Sequence, residues 1–143
     1  MEEYKIIQKE TIRLNEAIER PTFSSKMKPF PLKKEYRSVV PLKIFTTWHT
    51  KHLPPKMQEN WDALKSENPE FEHYLYDDSD CQKFIKDHFP QKVLDSYLKL
   101  VPQAYKSDLW RYCVLYIYGG IYLDIKLQTV NGFKLIHLTE KEH

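Results

Sequence analysis

The chain has 143 residues, a length that suits one domain with its own hydrophobic core. It carries 22 lysines and arginines against 20 aspartates and glutamates, which gives a formal net charge of +2 at pH 7. This balance excludes the strongly basic surface typical of nucleic-acid-binding proteins. No apolar stretch is long enough to cross a bilayer, so we expect no transmembrane segment.

Residues 1–38 are predicted to precede the main domain. Side chains on one helical stripe predict an amphipathic helix ended by Pro21: Tyr4, Ile7, Thr11, Leu14 and Ile18. The segment from Pro21 to residue 38 is rich in proline and lysine, which favours a linker. The domain itself is expected to occupy residues 39–143.

Strand and helix patterns alternate from residue 39 onward. Lys43 to Thr47 predicts a short buried strand. Pro54-Pro55 predicts the start of a helix, because proline is favoured in the first helical turn. The alternating segment from Phe71 to Tyr76 predicts a second strand, and two helical stretches follow, separated by Pro90. This order is typical of an α/β protein.

The most distinctive stretch runs from residue 105 to residue 126. Its first part predicts a helix that is buried nearly all round and ends at Gly119-Gly120. The alternating residues 121–126 then predict a strand, with Tyr122, Asp124 and Lys126 on one face. Residues 127–130 are predicted to extend or repeat a strand.

Three charged residues in this stretch are candidates for ligand binding. Asp108 and Arg111 are three residues apart and therefore share one helix face. Asp124 is predicted to lie at the C-terminal end of a strand, where α/β proteins bind ligands. A structural interpretation is equally open: Asp108 caps the helix and pairs with Arg111, and Asp124 opens a turn.

Residues 107–124, SDLWRYCVLYIYGGIYLD, resemble the signature of the glycosyltransferases with a DXD sugar-binding region (family 32). That family includes yeast mannosyltransferases and bacterial capsular polysaccharide transferases. Residues 40–48 are similar to its opening strand, which ends in Thr-Trp. Residues 61–78 are similar to its second strand and the acidic turn that follows. The resemblance covers roughly residues 40–136.

This resemblance implies the donor-binding half of a GT-A fold, with a single Rossmann-like sheet. It implies a transferase that moves a hexose from a UDP- or GDP-sugar to a glycan, lipid or protein acceptor with retention of configuration. Asp108, Arg111 and Asp124 are then the predicted catalytic residues, which bind the sugar and diphosphate. Trp48 is expected to contact the nucleotide base and Asp77 to lie beside the nucleotide. A non-catalytic nucleotide-sugar-binding remnant or interaction module stays open as an alternative.

The acidic turn also has a structural interpretation, in which Asp78 or Ser79 caps the helix that follows. The DXD motif itself is altered, because this chain has Asp124-Ile125-Lys126. Asp124 is the predicted ligand of a divalent cation, Mn²⁺ or Mg²⁺, whereas an ammonium such as that of Lys126 cannot ligate one. Either Lys126 places its own charge against the phosphates, or Asp124 holds the metal with waters.

Seventeen residues follow Lys126, fewer than the family has after this motif, so we expect a C-terminally incomplete domain. The yeast relatives are Golgi membrane proteins with an anchor, and none is recognisable here. We therefore expect a cytoplasmic or otherwise soluble protein, with Golgi or membrane association only if an anchor is missing from this sequence.

Overall fold

The structure is a computed structural model that describes residues 31–143. The amphipathic helix predicted for residues 1–20 and the first part of the predicted linker lie outside the described residues. The elements follow in chain order: β1 (Lys43–Thr47), α1 (Pro55–Glu67), β2 (Glu72–Tyr76), α2 (Asp78–His88), α3 (Gln91–Lys99), α4 (Gln103–Tyr118), β3 (Ile121–Tyr122) and a 3-10 helix (Leu135–Leu138). The predicted α/β order is confirmed, as are the bounds of β1 and the proline-led start of α1.

The three strands form one parallel sheet in the order β2-β1-β3. On the central strand, Ile44 pairs with His73 of β2 and with Ile121 of β3. Parallel strands end at the same edge of a sheet, and in α/β proteins that edge carries the ligand site. The sheet therefore directs the loops after β1, β2 and β3 toward one rim.

Helices lie on both faces of the sheet, because successive residues of β1 point to opposite sides. Phe45 is 1% exposed and packs with Trp110 and other side chains of α2, α3 and α4. Ile44 is fully buried on the other face, where Trp61 of α1 and Leu135 of the 3-10 helix cover it. Within residues 31–143, no helix combines the length and the apolar character needed to cross a membrane.

The glycine stop predicted after α4 is confirmed. Gly119 and Gly120 have φ values of 65° and 95°, a backbone region that L side chains rarely adopt. A Cβ atom on Gly120 would lie 2.5 Å from the carbonyl oxygen of Lys43. The two glycines therefore allow the chain to pass directly from α4 into β3 while its backbone packs closely on the start of β1.

Two predictions for this part of the chain were wrong. Helix α4 is not buried nearly all round, since Tyr112 and Tyr116 are 72% and 82% exposed. The sheet and helices α2 and α3 cover α4 on one side, where Trp110, Cys113 and Val114 are buried, and its other side faces solvent. Apolar composition on every side of a helix did not by itself imply burial on every side.

Strand β3 is also shorter than predicted, since it ends at Tyr122. The amide of Leu123 still donates to Phe45 O at 2.9 Å, but the chain then enters a turn that begins at Asp124. Aspartate favours such turns because its side chain accepts hydrogen bonds from nearby backbone amides. Residues 127–130 form no strand, and a turn follows at Asn131-Gly132.

Candidate functional site

A cleft of about 350 Å³ opens where β1 and β3 end. Five of the six predicted site residues line it: Trp48, Asp108, Arg111, Asp124 and Lys126. A cavity of about 340 Å³ lies beside α1, so size does not distinguish the cleft. The distinguishing feature is its concentration of charged and aromatic side chains at the carboxyl edge of a parallel sheet, the usual ligand position in α/β folds.

Helix α4 supplies the ion pair of the cleft. Arg111 Nη2 lies 3.3 Å from Asp108 Oδ1, and the two side chains are 42% and 57% exposed. Because α4 begins at Gln103, Asp108 does not cap the helix, although it does pair with Arg111 as the structural interpretation proposed. The guanidinium carbon lies 4.6 Å from the centre of the Tyr122 ring, a cation–π contact that orients the side chain.

Arg111 retains capacity for a further ligand. Its Nε atom is buried and has no hydrogen-bond partner among residues 31–143. A guanidinium presents five N–H donors in a planar fork, a geometry that matches the oxygens of phosphates and carboxylates. The side chain is therefore placed and equipped to bind an anion in the cleft.

Tyr122 forms the floor beneath Arg111. Its hydroxyl group and Thr47 Oγ1 are 2.9 Å apart, a hydrogen bond that joins the carboxyl ends of β3 and β1. Burial raises the pKa of Tyr122, although the Thr47 hydrogen bond and the positive charge of Arg111 act against this increase. The phenol is therefore neutral at pH 7. The alternating pattern of residues 121–126 predicts Tyr122 on the same strand face as Asp124. The sequence therefore did contain a signal that Tyr122 lies near the site.

Asp124 and Lys126 reach the cleft from a tight turn after β3. Asp124 Oδ1 accepts a hydrogen bond from the Lys126 amide at 2.8 Å, and Asp124 O accepts one from the Leu127 amide at 3.0 Å. Asp124 therefore does open a turn, as the structural interpretation proposed. Both charged side chains are exposed at the cleft at the same time, so the turn and a ligand-binding role are compatible.

Asp77 lies outside the lining of the cleft and caps α2. Its Oδ1 atom accepts a hydrogen bond from the Asp80 amide at 2.9 Å, while Asp80 Oδ2 accepts one from the Asp77 amide at 3.1 Å. This reciprocal capping box stabilises the start of the helix. The prediction that Asp78 or Ser79 caps α2 was wrong.

Asp78 lines the cleft instead, and sequence reasoning did not select it. Its Oδ1 atom accepts a hydrogen bond from Gln103 Nε2 at 2.8 Å, which joins the first turns of α2 and α4. Burial raises the pKa of Asp78, and the positive charges of His49 and Lys106 oppose that increase. No local pattern marks the Asp78–Gln103 pair, because it depends on how two helices separated in sequence pack together.

Trp48 follows β1 directly and is half-buried at the cleft. Its amide donates to Tyr76 O at 3.1 Å, which continues the pairing of β1 with β2 by one residue. Its ring lies 4.6 Å from that of His49, centroid to centroid. A tryptophan fixed by its backbone and only partly covered offers a flat apolar surface for a ring to stack on.

The side chains of the turn after β3 are not suited to hold a metal ion. Its charged side chains are one carboxylate, Asp124, and one ammonium, Lys126, and Mg²⁺ or Mn²⁺ require oxygen ligands. Within residues 31–143 no three histidine, cysteine, aspartate or glutamate side chains are grouped so that they could hold a metal. We therefore derive no chemical step through a metal ion.

Comparison with known proteins places the chain in one family. The family described as glycosyltransferase sugar-binding region containing DXD motif matches residues 54–139. Inositol phosphoceramide mannosyltransferase 2 of Schizosaccharomyces pombe is 30% identical over 132 residues, which cover 84% of this chain and 36% of that protein. Inositol phosphoceramide mannosyltransferase 3 of the same yeast is 32% identical over 88 residues, covering 62% and 24%.

A third relative agrees with the first two. The initiation-specific alpha-1,6-mannosyltransferase of Candida albicans is 29% identical over 91 residues, which cover 59% of this chain and 24% of that protein. No solved structure resembles the chain closely enough to count as a match. The chain thus spans about a quarter to a third of the length of the curated relatives that it matches. It belongs to the glycosyltransferases with a DXD-containing sugar-binding region, and its parallel sheet with flanking helices is part of their GT-A-type α/β fold.

Proposed function

We propose that this chain binds a nucleotide-diphospho-hexose in the cleft at the carboxyl edge of the sheet and transfers the hexose to an acceptor hydroxyl group. The observation that supports this most is the convergence of Asp108 and Arg111 from α4 with Asp124 from the turn after β3. These elements are separated by the glycine stop, yet their charged side chains line one cleft. Both signs of charge are therefore available to one ligand.

The two signs of charge suit the two parts of the donor. Arg111 and Lys126 are cations that line the cleft, and they bind the diphosphate through charge-assisted hydrogen bonds. Asp108 and Asp124 accept hydrogen bonds from sugar and ribose hydroxyl groups. Trp48 offers a flat surface on which the base stacks.

The reaction breaks the bond between the anomeric carbon and a phosphate oxygen, and the nucleoside diphosphate leaves with both electrons of that bond. The acceptor hydroxyl oxygen bonds to the anomeric carbon on the same face, and the hydroxyl proton is released. Negative charge grows on the leaving diphosphate, so fixed positive charge nearby lowers the barrier. Arg111 and Lys126 supply that charge, and with Lys126 at the second DXD position we propose that donor binding requires no divalent cation.

The names of the relatives suggest a donor sugar and an acceptor class. All three relatives described above are mannosyltransferases, and two of them are named for inositol phosphoceramide. Mannose from a GDP- or UDP-linked donor is therefore the first sugar to test. A phosphoinositol lipid is the first acceptor, before other glycans and proteins.

A transfer assay with radiolabelled GDP-mannose and UDP-hexoses tests the proposal. The chain is expected to form a labelled product with one acceptor class and to release the nucleoside diphosphate, and Asp124→Ala to abolish both. Saturable donor binding without turnover would instead support the alternative function, a nucleotide-sugar-binding module. Absence of any donor binding would contradict both functions.

A further inference from the structure

Asn60, on α1, is hydrogen-bonded to the backbone of the charged turn. Its side chain is buried, and the residue is 9% exposed. Its Nδ2 atom donates two hydrogen bonds, to Ile125 O at 2.9 Å and to Leu127 O at 2.8 Å. These two carbonyl groups flank Lys126. Asn60 itself does not line the donor cleft.

The turn's own hydrogen bonds determine its local shape but not its place in the fold. Asp124 accepts hydrogen bonds from the amides of Lys126 and Leu127, and all of these groups belong to the turn. Its position relative to α1 depends on the side chain of Ile125, which is 5% exposed in the core, and on the two bonds from Asn60. Apolar packing is weakly directional, whereas two hydrogen bonds from one amide fix an orientation.

We propose that Asn60 is a positioning residue for donor binding: it holds the backbone on both sides of Lys126 so that the ammonium group meets the diphosphate. This inference rests on the function proposed above. Preorganised groups bind and catalyse well only when the residues behind them hold them in place, and small displacements have large effects. Loss of the Asn60 amide would leave two carbonyl groups without their partner and free Lys126 to move.

The chain offers a matched control in Asn68, at the end of α1. Asn68 is fully buried, its Nδ2 donates to Leu64 O at 3.0 Å, and its Oδ1 accepts from the Leu135 amide at 2.9 Å. Both asparagines thus link α1 to the segment after β3 through buried hydrogen bonds. Asn68 holds the start of the 3-10 helix, whereas Asn60 holds the charged turn. Substitution of either is expected to reduce stability, so only donor binding separates their roles.

The first test is titration of GDP-mannose and UDP-hexoses into the full chain and its variants. Asn60→Ala is expected to raise the donor Kd about tenfold, the effect of losing one or two neutral hydrogen bonds. Asn60→Asp keeps the side-chain volume but places a carboxylate against two carbonyl oxygens, so its effect is expected to be larger. Asn68→Ala should lower the Tm and leave the donor Kd unchanged. Equal effects of Asn60→Ala and Asn68→Ala on the Kd would overturn the inference.

A double-mutant cycle identifies the group through which Asn60 acts. In the Lys126→Ala background no ammonium remains to be positioned, so Asn60→Ala is expected to change the Kd by much less than in the parent chain. Fully additive effects of the two substitutions would show that Asn60 does not act through Lys126.

Amide hydrogen exchange, measured without any donor, separates this inference from the proposed function. Asn60→Ala is expected to accelerate exchange of the Lys126 and Leu127 amides about tenfold or more, and Asn68→Ala to leave them unchanged. Faster exchange in a chain that binds no sugar nucleotide would contradict the proposed function and would remove the donor role of Asn60 with it. Unchanged exchange and unchanged Kd in Asn60→Ala, with normal binding by the parent chain, would overturn the inference alone.

Discussion

The two sides of the α4–β3 unit are built differently. At the glycine stop the backbone itself is the packing surface: a Cβ atom on Gly119 would lie 2.9 Å from Pro41 Cγ, and one on Gly120 would lie 2.5 Å from Lys43 O. At the cleft, Arg111 is only partly covered and Asp124 is exposed, and their contacts are a hydrogen bond, an ion pair and a cation–π contact. The unit is therefore fixed by steric fit at the glycine stop, and its charged side chains stay accessible at the cleft. We expect substitutions at the glycine stop to reduce stability and substitutions at the cleft to reduce donor binding.

Gly120→Val is expected to have the largest effect. The new side chain would combine a disfavoured φ of 95° with a Cβ atom 2.5 Å from a backbone oxygen. We expect the free energy of unfolding to fall by about 3 kcal/mol or more, or the protein not to fold. Urea denaturation followed by circular dichroism measures the loss.

Gly132→Ala is the matched control for this steric effect. Gly132 also has a positive φ, 68°, but it is exposed in a turn. Its substitution is expected to cost only about 1 kcal/mol, the usual penalty for a non-glycine residue in such a conformation. A Gly120→Val protein as stable as the Gly132→Ala protein would contradict the view that the junction is set by close backbone contact.

Arg111→Ala is expected to change binding more than stability. Loss of its charge-assisted hydrogen bonds should weaken donor binding by about 1.5–3 kcal/mol. Loss of an ion pair whose side chains are 42% and 57% exposed, together with one cation–π contact, should cost the fold about 1 kcal/mol or less. Calorimetric titration of the donor and thermal unfolding measure the two quantities separately.

Lys83→Ala is the control for Arg111→Ala, because Lys83 also forms an intrahelical ion pair, with Asp87 at 2.6 Å, but does not line the cleft. We expect unchanged donor affinity in this variant. If Arg111→Ala lowered the Tm strongly and left the affinity for every sugar nucleotide unchanged, Arg111 would be a structural residue.

Lys126→Ala is expected to have a smaller effect on binding, because its ammonium group is exposed to solvent. We predict that the donor Kd rises about three- to tenfold and becomes less sensitive to salt, since one positive charge has been removed. A chelator should not weaken binding by the parent chain. Lys126→Asp restores a DXD motif and is expected to create a dependence on Mn²⁺. Strict Mn²⁺ dependence in the parent, with Lys126→Ala indistinguishable from it, would contradict this account.

Removal of the Lys51–Asp80 ion pair should have the smallest effect. It should change the stability of the protein and the pH dependence of that stability. Lys51 Nζ lies 3.0 Å from Asp80 Oδ2, beside the capping box of α2. Burial acts to raise the pKa of Asp80, but the hydrogen bonds from Lys51 and the Asp77 backbone outweigh it and hold the pKa below the ordinary 3.8. A carboxyl group whose pKa is lowered on folding stabilises the protein above its unfolded-state pKa, and this contribution disappears as the pH falls through the folded-state pKa.

Lys51→Ala is therefore expected to lower the Tm slightly at pH 7 and to have a smaller effect at about pH 2, because the contribution of the pair is lost as the pH falls through the folded-state pKa of Asp80. Thermal unfolding of the parent and the variant at the two pH values measures the difference. A difference of equal size at both pH values would mean that the pair does not contribute through its charges.

Local sequence patterns predicted the features that depend on neighbouring residues. The bounds of β1, the proline-led start of α1 and the glycine stop after α4 are each determined within a few residues. The sequence also indicated Asp108, Arg111 and Asp124 as candidates for one site, and they do line one cleft, although Asp124 lies in the turn after β3 and not in the predicted strand. Their roles in binding a donor remain predictions.

Features that depend on contacts between distant segments were not predictable. The pairing of Asp78 with Gln103 requires two helices to meet, and the hydrogen bonds from Asn60 cross 65 and 67 residues of sequence. The exposure of Tyr112 and Tyr116 depends on how many elements cover α4, a property that the helix's own composition does not contain. In each case the missing information was the arrangement of the fold, not the character of the residue.

Titration of GDP-mannose and UDP-hexoses into the parent chain and into Arg111→Ala, in buffer containing EDTA, tests the central claim most directly. The account predicts saturable binding of at least one sugar nucleotide by the parent chain, and binding weakened at least about tenfold in a variant that unfolds at nearly the same temperature. Absence of binding by the parent in EDTA, or equal binding by both proteins, would contradict the claim that the charged cleft at the carboxyl edge of the sheet binds the donor through its own cationic side chains.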